Sequence, residues 1–259
     1  MNISAPLGFL LGTLVIAFVA VTGIKNPSVF LSGHAAAIVI GGTAAAALVC
    51  FPISHFFGLT RVFMETLLGK RKAETLRTIN DIVRLSQAAN DGASLSNEVA
   101  SLKDSFLKEA LELMDQGGLS DHELEEVLEK RMELQNEKYK RDSFTFKMIG
   151  KFPPAFGLVG TTMGMIALLQ SLGEADAFER IGPAMSIALV ATFYGLVFAN
   201  VFLIPMGENL NQASEEDLRM RRIVVDGVRL LKERKHPLLV QEYLKSYLAP
   251  AERSKMARA

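Results

Sequence analysis

The 259-residue sequence contains no tryptophan and one cysteine, Cys50, which lies inside an apolar run. A single cysteine excludes a disulfide within the chain. Without tryptophan, the anchoring of helices at a membrane surface falls to tyrosine, phenylalanine and basic side chains. The net charge is zero, from 28 basic and 28 acidic side chains, so the overall charge gives no indication of a nucleic-acid partner.

The sequence also lacks the motifs of the common catalytic and cofactor sites. It has no glycine-rich phosphate-binding loop of the Walker type, no cluster of metal ligands and no serine–histidine–aspartate arrangement. The four histidines are scattered along the chain, at His34, His55, His122 and His236. We therefore predict a protein that has no catalytic residues, binds no metal and needs no resident cofactor.

A third absence is the most informative, because four long stretches carry no Asp, Glu, Lys or Arg. These stretches are 5–24, 28–60, 152–173 and 181–206. About 20 apolar residues in a helix cross the hydrocarbon of a bilayer. The chain as a whole is 49% apolar. The pattern predicts an all-α fold, a polytopic membrane protein with four transmembrane helices and a large helical cytoplasmic domain.

The order of these stretches divides the chain into four predicted segments. Transmembrane helices 1 and 2 occupy 1–60, and a cytoplasmic helical domain occupies 61–150. Transmembrane helices 3 and 4 occupy 151–207, and a cytoplasmic helical tail occupies 208–259. The tail helix is predicted to continue the fourth span.

The charged segment contains its own signals for the ends of helices. Ser120-Asp121-His122-Glu123 is a capping-box pattern, which predicts the start of a helix that runs toward Lys147. Asn90-Asp91-Gly92 and Gln116-Gly117-Gly118 predict breaks between helices. A bundle of helices is therefore expected in this segment.

Basic residues indicate which ends of the spans face the cytoplasm, because cytoplasmic flanks carry an excess of Lys and Arg. The basic flanks are Arg61 with 70–72 after the second span, Lys140, Arg141, Lys147 and Lys151 before the third, and Arg219, Arg221 and Arg222 after the fourth. The two short loops near Lys25 and at 173–182 are poor in basic residues. We predict that both termini are cytoplasmic.

The third and fourth spans carry small residues at helical spacing. These are Gly157, Gly160, Thr161 and Gly164 in the third, and Ala184, Ala188, Thr192, Gly195 and Ala199 in the fourth. Small residues allow helix backbones to approach closely in lipid. We predict that these faces are closely packed, that they hold a homo-oligomer together and that they line an ion path. A packed pair of helices without a transport role is the alternative.

The polar groups of the spans are hydroxyls and amides, and they limit the chemistry available. Such groups ligate a passing cation or hold water, but they do not bind and release a proton near neutral pH. If the chain conducts ions in a coupled way, another chain must supply the acidic group. The alternative is a membrane scaffold.

The chain closely resembles the flagellar stator subunits of the MotA/PomA family in the motifs PPAFGLVGTTMG, IGPAMSIALVATFYG and FLIPM. The resemblance covers essentially the whole chain, including the tail DGVRLLKERKHPLLVQEYLKSYL. It implies a ring, of five copies in this family, around two copies of a MotB/PomB-type partner with one span and an essential aspartate. It further implies that ion flow drives a FliG-like rotor protein and that the chain lies in the bacterial inner membrane.

We expect the ion path to be lined by Thr161, Thr192, Gly160 and Tyr194. The two threonines match the pore-facing threonines of sodium-type members. The transported ion is Na⁺ or H⁺, and a threonine at the Thr161 position favours sodium. Proton-type members often carry alanine there.

Two prolines match the prolines that open the third span and close the fourth in this family. They are Pro154 and Pro205. Proline in a helix removes a backbone hydrogen bond and produces a local kink, so we interpret both residues as hinges.

The chain departs from the family pattern in the stretch AANDGASLSNEVAS, where the family has a basic pair and an acidic cluster that contact the rotor. Asn90 and Asp91 replace the basic pair, Glu98 is the acidic residue that remains, and Arg84 lies two helical turns earlier. These four residues are the predicted rotor contact. The departure leaves open an ion-driven module for a non-flagellar process, such as an ExbB/TolQ-like protein or a defence-system homologue, although ExbB/TolQ relatives generally have three spans.

Overall fold

A computed structural model describes residues 4–23, 26–67, 75–92, 96–173, 177–250 and 252–253. All regular structure in these residues is helical, which confirms the predicted all-α fold class. The chain forms two compact units, one made of 1–72 with 140–211 and the other of 73–139 with 212–259. The four predicted segments follow chain order, whereas each compact unit combines two separate parts of the chain, so the segment limits stay a prediction.

The first unit contains the apolar helices. They are α1 (Ser4–Gly23), α2 (Gly33–Ala36), α3 (Gly42–Cys50), α4 (Ile53–Leu67), α9 (Phe152–Ser171) and α10 (Ala177–Val197). A 3₁₀ turn (Pro27–Phe30) precedes α2, and a π segment (Ala37–Gly41) joins α2 to α3. A second π segment (Phe198–Leu203) joins α10 to α11 (Ile204–Lys232). π segments are rare and occur mostly as single bulges, often at functional sites.

The second unit is built from amphipathic helices. They are α5 (Thr75–Asn90), α6 (Ser96–Val99), α7 (Ser105–Gln116), most of α8 (Asp121–Ile149), the later part of α11 and α12 (Pro237–Lys245). Their apolar faces form one core, with Ile82, Phe106, Leu128, Val224 and Leu244 all at most 2% exposed. Because burial of apolar area is the main favourable term in folding, this core stabilises the unit.

Four helical stretches are long and apolar enough to cross a membrane. They are Ser4–Gly23, Pro27–Cys50, Asp121–Ser171 and Ile181–Lys232. They confirm the four spans predicted from the sequence. The last two stretches are far longer than a bilayer requires, because the spans continue into the charged helices α8 and α11.

The predicted helix boundaries in the charged segment are confirmed by the backbone. The Glu123 carboxylate accepts from the Ser120 N–H at 2.8 Å, and the Ser120 hydroxyl accepts from the Glu123 N–H at 3.3 Å. This reciprocal pair is a capping box, and it lowers the pKa of Glu123 because hydrogen bonds from Ser120 stabilise the carboxylate. Gly92 and Gly117 have positive φ, of 75° and 63°, so they stop α5 and α7 in a conformation that favours glycine.

Candidate functional site

The candidate site lies in the first unit, between α9 and α10. A Cβ added to Gly164 would lie 2.7 Å from the Ala188 Cβ, and one added to Gly195 would lie 2.3 Å from the Pro153 carbonyl oxygen. The predicted small-residue faces are therefore closely packed, as expected. They pack against each other inside the chain, and the call that they also hold a homo-oligomer together stays a prediction.

Thr161 and Thr192 meet at this interface. Their hydroxyls are hydrogen-bonded to each other. The Thr161 hydroxyl also reaches the Gly157 carbonyl at 3.1 Å and the Ala188 carbonyl at 3.2 Å, and the Thr192 hydroxyl reaches the Gly157 carbonyl at 3.2 Å. The two hydroxyls and two carbonyls form a cluster of four oxygens, called here the oxygen cluster, which the two helices share.

Thr162 is next to Thr161 in the sequence, but its hydroxyl is not part of the oxygen cluster. Its hydroxyl donates to carbonyls of its own helix, Leu158 at 3.0 Å and Val159 at 2.8 Å, and its side chain is exposed. Such bonds back to the same helix are common for Ser and Thr. The oxygen cluster differs because its hydroxyls contact the neighbouring helix as well.

Gly160 and Tyr194, the other two residues predicted for the ion path, both lie beside the apolar cluster that contains Ala191. Gly160 is buried, and a Cβ there would lie 2.5 Å from the Ala191 Cβ. The absence of a side chain at Gly160 therefore allows α9 and α10 to pack closely. The Tyr194 hydroxyl donates to the carbonyl of Phe30 in the 3₁₀ turn. Among the described contacts, neither residue touches the two threonine hydroxyls. Their place in an ion path stays a prediction.

The second span contacts this helix pair through one buried face. Ala35 and Val39 are fully buried and pack with Val190 and Ala191 of α10. A Cβ on Gly42 would lie 2.2 Å from the Phe156 ring. Thr43 lies on the same side, 4% exposed, and its hydroxyl has no hydrogen-bond partner among the described atoms.

The two predicted hinge prolines occupy different backbone settings. Pro154 lies in the first turn of α9, next to Pro153. A helix has no internal partner for its first N–H groups, so proline costs little there and produces no kink. Pro205 is the second residue of α11, directly after the π segment, inside a helix that continues to Lys232. A kink is expected at Pro205, while the break beside Pro154 is at 150–151, between α8 and α9.

The four residues predicted to contact a rotor are in the second unit, and the structure pairs two of them. The Arg84 guanidinium lies 3.3 Å from the Glu98 carboxylate, and both side chains are substantially exposed. The Asn90 amide donates to the carbonyl of Lys235 at 3.2 Å, which links α5 to the chain after α11. Asp91 is exposed. Sequence reasoning missed the role of Asn90 as a link, because its partner is far along the chain.

The oxygen cluster offers neutral ligands only. The sequences of α9 and of the apolar part of α10 hold no ionisable acid, and no group of three or more His, Cys, Asp or Glu that would bind a metal occurs among the described residues. Hydroxyl and carbonyl oxygens suit hard cations. The sequence predicted the hydroxyls, but it gave no signal for the carbonyls of Gly157 and Ala188.

Comparison with known proteins agrees with this architecture. Residues 98–223 match the model of the MotA/TolQ/ExbB proton channel family. Chemotaxis protein PomA of Vibrio alginolyticus is 28% identical over 254 residues, 98% of each chain. Motility protein A of Borreliella burgdorferi is 30% identical over 181 residues, which are 69% of this chain and 68% of the relative.

The fold is also that of a solved stator protein. A chain in the structure of the flagellar MotAB stator complex from Bacillus subtilis superposes with a TM-score of 0.85, at 23% identity, over 96% of this chain and 97% of that chain. The family consists of channel proteins rather than enzymes, in agreement with the absence of catalytic motifs from the sequence. On the family model, the relatives and the four spans together, this chain belongs to the MotA/PomA family of flagellar stator subunits.

Proposed function

We propose that this stator subunit couples cation flow across the inner membrane to torque on a flagellar rotor, together with a partner protein that spans the membrane once. The observation that carries the proposal is the oxygen cluster, in which Thr161 and Thr192 bring two hydroxyls and two helix carbonyls together between uncharged spans. The similar chain from Bacillus subtilis belongs to a MotAB stator complex, which supports a MotB-type partner.

The need for a partner follows from the chemistry of the spans. A coupled channel requires a group that takes up the ion from one side and releases it to the other, and for protons this group must be an acid. The four apolar stretches of this chain contain no Asp or Glu. The acidic group must therefore come from the partner, and an aspartate in its single span meets the requirement.

The oxygen cluster supports the transport of a metal cation that binds oxygen ligands rather than of a proton. The two hydroxyls have one proton each, yet together they make four contacts shorter than 3.5 Å to each other and to the carbonyls of Gly157 and Ala188. Each hydroxyl donates one proton and carries two lone pairs, so both hydroxyls are also able to act as ligands of a cation. A dehydrated sodium ion needs such ligands, whereas a proton needs only an acid and water. We therefore propose sodium as the ion, with the proton as the alternative.

The proposed assembly follows the family. Five copies of this chain surround two copies of the partner, with both termini of the chain in the cytoplasm. Arg84 and Asp91 are exposed and Glu98 is partly exposed in the second unit, and all three remain our candidates for the rotor contact, together with Asn90. Pro205 and the break at 150–151 are the proposed positions at which the cytoplasmic helices move relative to the spans.

The ligand role of the cluster is tested by hydroxyl removal in cells that swim with this stator. Thr161→Ala removes one of the two hydroxyls of the network and should abolish the dependence of swimming speed on external sodium at fixed pH. Thr161→Ser keeps the hydroxyl and should retain that dependence. Thr162→Ala is the matched control, because its hydroxyl bonds only within its own helix, and it should behave as the unmodified protein does.

Two results would contradict the sodium assignment. One is wild-type swimming that is indifferent to sodium and collapses with a protonophore, which would identify the proton as the ion. The other is equal loss of sodium dependence in Thr161→Ala and Thr162→Ala, which would show that the effect is a general one on helix packing.

A further inference from the structure

The connection between α11 and α12 contains a backbone conformation that is unusual for its residue. Arg234 has a φ of 50°, and within the part of the chain that the structure describes it is the one residue other than glycine with a positive φ. The remaining positive values belong to Gly92, Gly117 and Gly118. A residue with a Cβ is disfavoured in this left-handed region, because the Cβ crowds the following carbonyl oxygen. Glycine has no such cost.

The hydrogen bonds around Arg234 form a common helix-ending motif. The Arg234 N–H donates to the Leu231 carbonyl at 3.0 Å, and the Lys235 N–H donates to the Leu230 carbonyl at 3.1 Å. The left-handed residue of this motif is usually glycine. Arginine is therefore a poor residue for ending α11, and the fold alone does not explain it. Residues held in such sparsely populated conformations cluster at functional sites.

The connection is fixed against the end of α5, where the sequence departs from the family pattern. The Lys235 carbonyl accepts from the Ser86 hydroxyl and from the Asn90 amide, both at 3.2 Å. These two bonds hold the residue after Arg234 beside the last two turns of α5. Arg234 thus lies close in space to positions 90 and 91, at which the family pattern has a basic pair.

Arg234 carries a charge that the second unit leaves uncompensated. Its side chain is exposed, and no described residue forms an ion pair or a side-chain hydrogen bond with its guanidinium. The neighbouring Lys235 is paired with Glu233 at 3.3 Å. Leu238 and Leu239, in the first turn of α12, are 65% and 49% exposed. A guanidinium beside exposed apolar side chains fits a partner surface that combines a carboxylate with apolar residues, because Arg binds carboxylates through paired N–H donors.

We propose that Arg234 is a rotor-contact residue, which supplies the positive charge missing from Asn90 and Asp91 and binds a carboxylate of the rotor protein. The partner surface is an acidic segment with apolar residues beside the acid. Arginine at this position lowers the stability of the free subunit, and it strengthens the contact in the assembled motor. The inference rests on the proposed function, in which the second unit contacts a rotor.

Substitutions of Arg234 test the proposal, because stability and torque should change in opposite directions. Arg234→Gly and Arg234→Asn suit a positive φ. Each should raise the midpoint of thermal unfolding of the full chain with its partner by about 1–4 °C. Each should also lower the stall torque of single motors at least about twofold, because removal of one charge weakens a charged contact. Trade-offs of this kind are typical of functional residues.

Two further variants separate charge from backbone effects. Arg234→Lys keeps both the charge and the disfavoured conformation, so its unfolding midpoint should match that of the unmodified protein and its torque should exceed that of Arg234→Gly. Lys138→Gln removes an exposed charge from α8 and is the matched control, with no expected change in torque. Unchanged torque in Arg234→Gly, or a torque loss accompanied by a lower unfolding midpoint, would overturn the proposal.

Charge reversal identifies the partner. Arg234→Glu should lower torque at least as much as Arg234→Gly, because it places like charges together. Lysine replacements of the exposed acidic residues of the rotor protein, made one at a time, should include one that restores torque to Arg234→Glu. Restoration by none of them would overturn the carboxylate contact. Failure of the unmodified chain and its partner to support any swimming would count against the proposed function instead, whereas normal swimming with no effect at Arg234 would count against this inference alone.

Discussion

At the scale of single residues, polar side chains in this protein act mainly by tying helices together. Thr161 and Thr192 link α9 to α10, and Tyr194 links α10 to the turn at Phe30. In the second unit, the Tyr247 hydroxyl donates to the Asp226 carboxylate, which links the segment after α12 to α11. Hydrogen bonds to charged groups are stronger than bonds between neutral groups, so the link to Asp226 is expected to be a firm one.

The Tyr247 link makes a prediction about titration. Burial, together with the hydrogen bond to Asp226, raises the pKa of Tyr247 to about 12. The folded state therefore keeps this proton in a range where an unfolded tyrosine, with a pKa near 10, has lost it. The stabilisation is fully present below about pH 10 and is lost as the pH rises toward about 12.

Absorbance of phenolate in the purified protein checks this prediction, because the chain has four tyrosines and no tryptophan. Tyr247→Phe should remove a late component of the alkaline titration, and Tyr243→Phe is the neighbouring control. An unchanged late component in Tyr247→Phe would contradict the assignment.

At the scale of helices, the close contact of α9 and α10 depends on particular glycines. Gly195 is the tightest, because an added Cβ would meet the Pro153 carbonyl at 2.3 Å, and a backbone atom has little freedom to move. Gly8 in α1 is the opposite case, with nothing within 4 Å of an added Cβ. Alanine substitutions at these two positions therefore separate the cost of overpacking from the gain in helix propensity.

We predict that Gly195→Ala destabilises the protein by about 1–3 kcal/mol through overpacking. Gly8→Ala should be neutral or stabilising, because alanine has the higher helix propensity. The fraction of protein that stays monodisperse in detergent after heating measures the difference. Equal stability of the two variants would show that α9 and α10 do not pack as closely as described.

The helices show how far the sequence predicts this fold. Uncharged runs of span length, the capping box at Ser120 and the glycine at position 92 identify helices and their ends, because these signals are local. The faces that meet are not local properties. In the second span, Gly33, Ala37 and Gly41 recur every four residues, as small residues do around Gly164. A Cβ on Gly41 nevertheless meets nothing within 4 Å, while one on Gly164 lies 2.7 Å from the Ala188 Cβ. The spacing of small residues alone does not reveal this difference.

The sequence predicts only part of the candidate site, again because local signals do not show which helix faces meet. The two threonines belong to a family motif and to small-residue faces, and the structure brings them together. The bond from Tyr194 to Phe30 joins residues 164 positions apart, and the bond from Asn90 to Lys235 joins residues 145 apart. Such pairings arise from the folded arrangement of helices and leave no periodic signal in the sequence.

At the scale of the whole molecule, the proposed function requires contact with a rotor, and the Arg84–Glu98 pair tests it. An exposed ion pair contributes only about 0–1 kcal/mol to stability. Arg84→Glu should therefore leave the protein folded and assembled. It should lower torque, because in the proposed function the rotor contacts this charge. The double variant with Glu98→Arg restores the pair in reverse and should not restore torque. Recovery of torque in the double variant would show that only the internal pair matters.

We propose that this chain provides the channel walls and ligands while another chain provides the acid. Ion flux into vesicles that contain the purified chain, alone or with its single-span partner, distinguishes the two contributions. We predict no selective flux with the chain alone, flux with the partner, and loss of flux when the aspartate of the partner's span is replaced by asparagine. A robust, cation-selective flux through the purified chain without any partner would contradict the account.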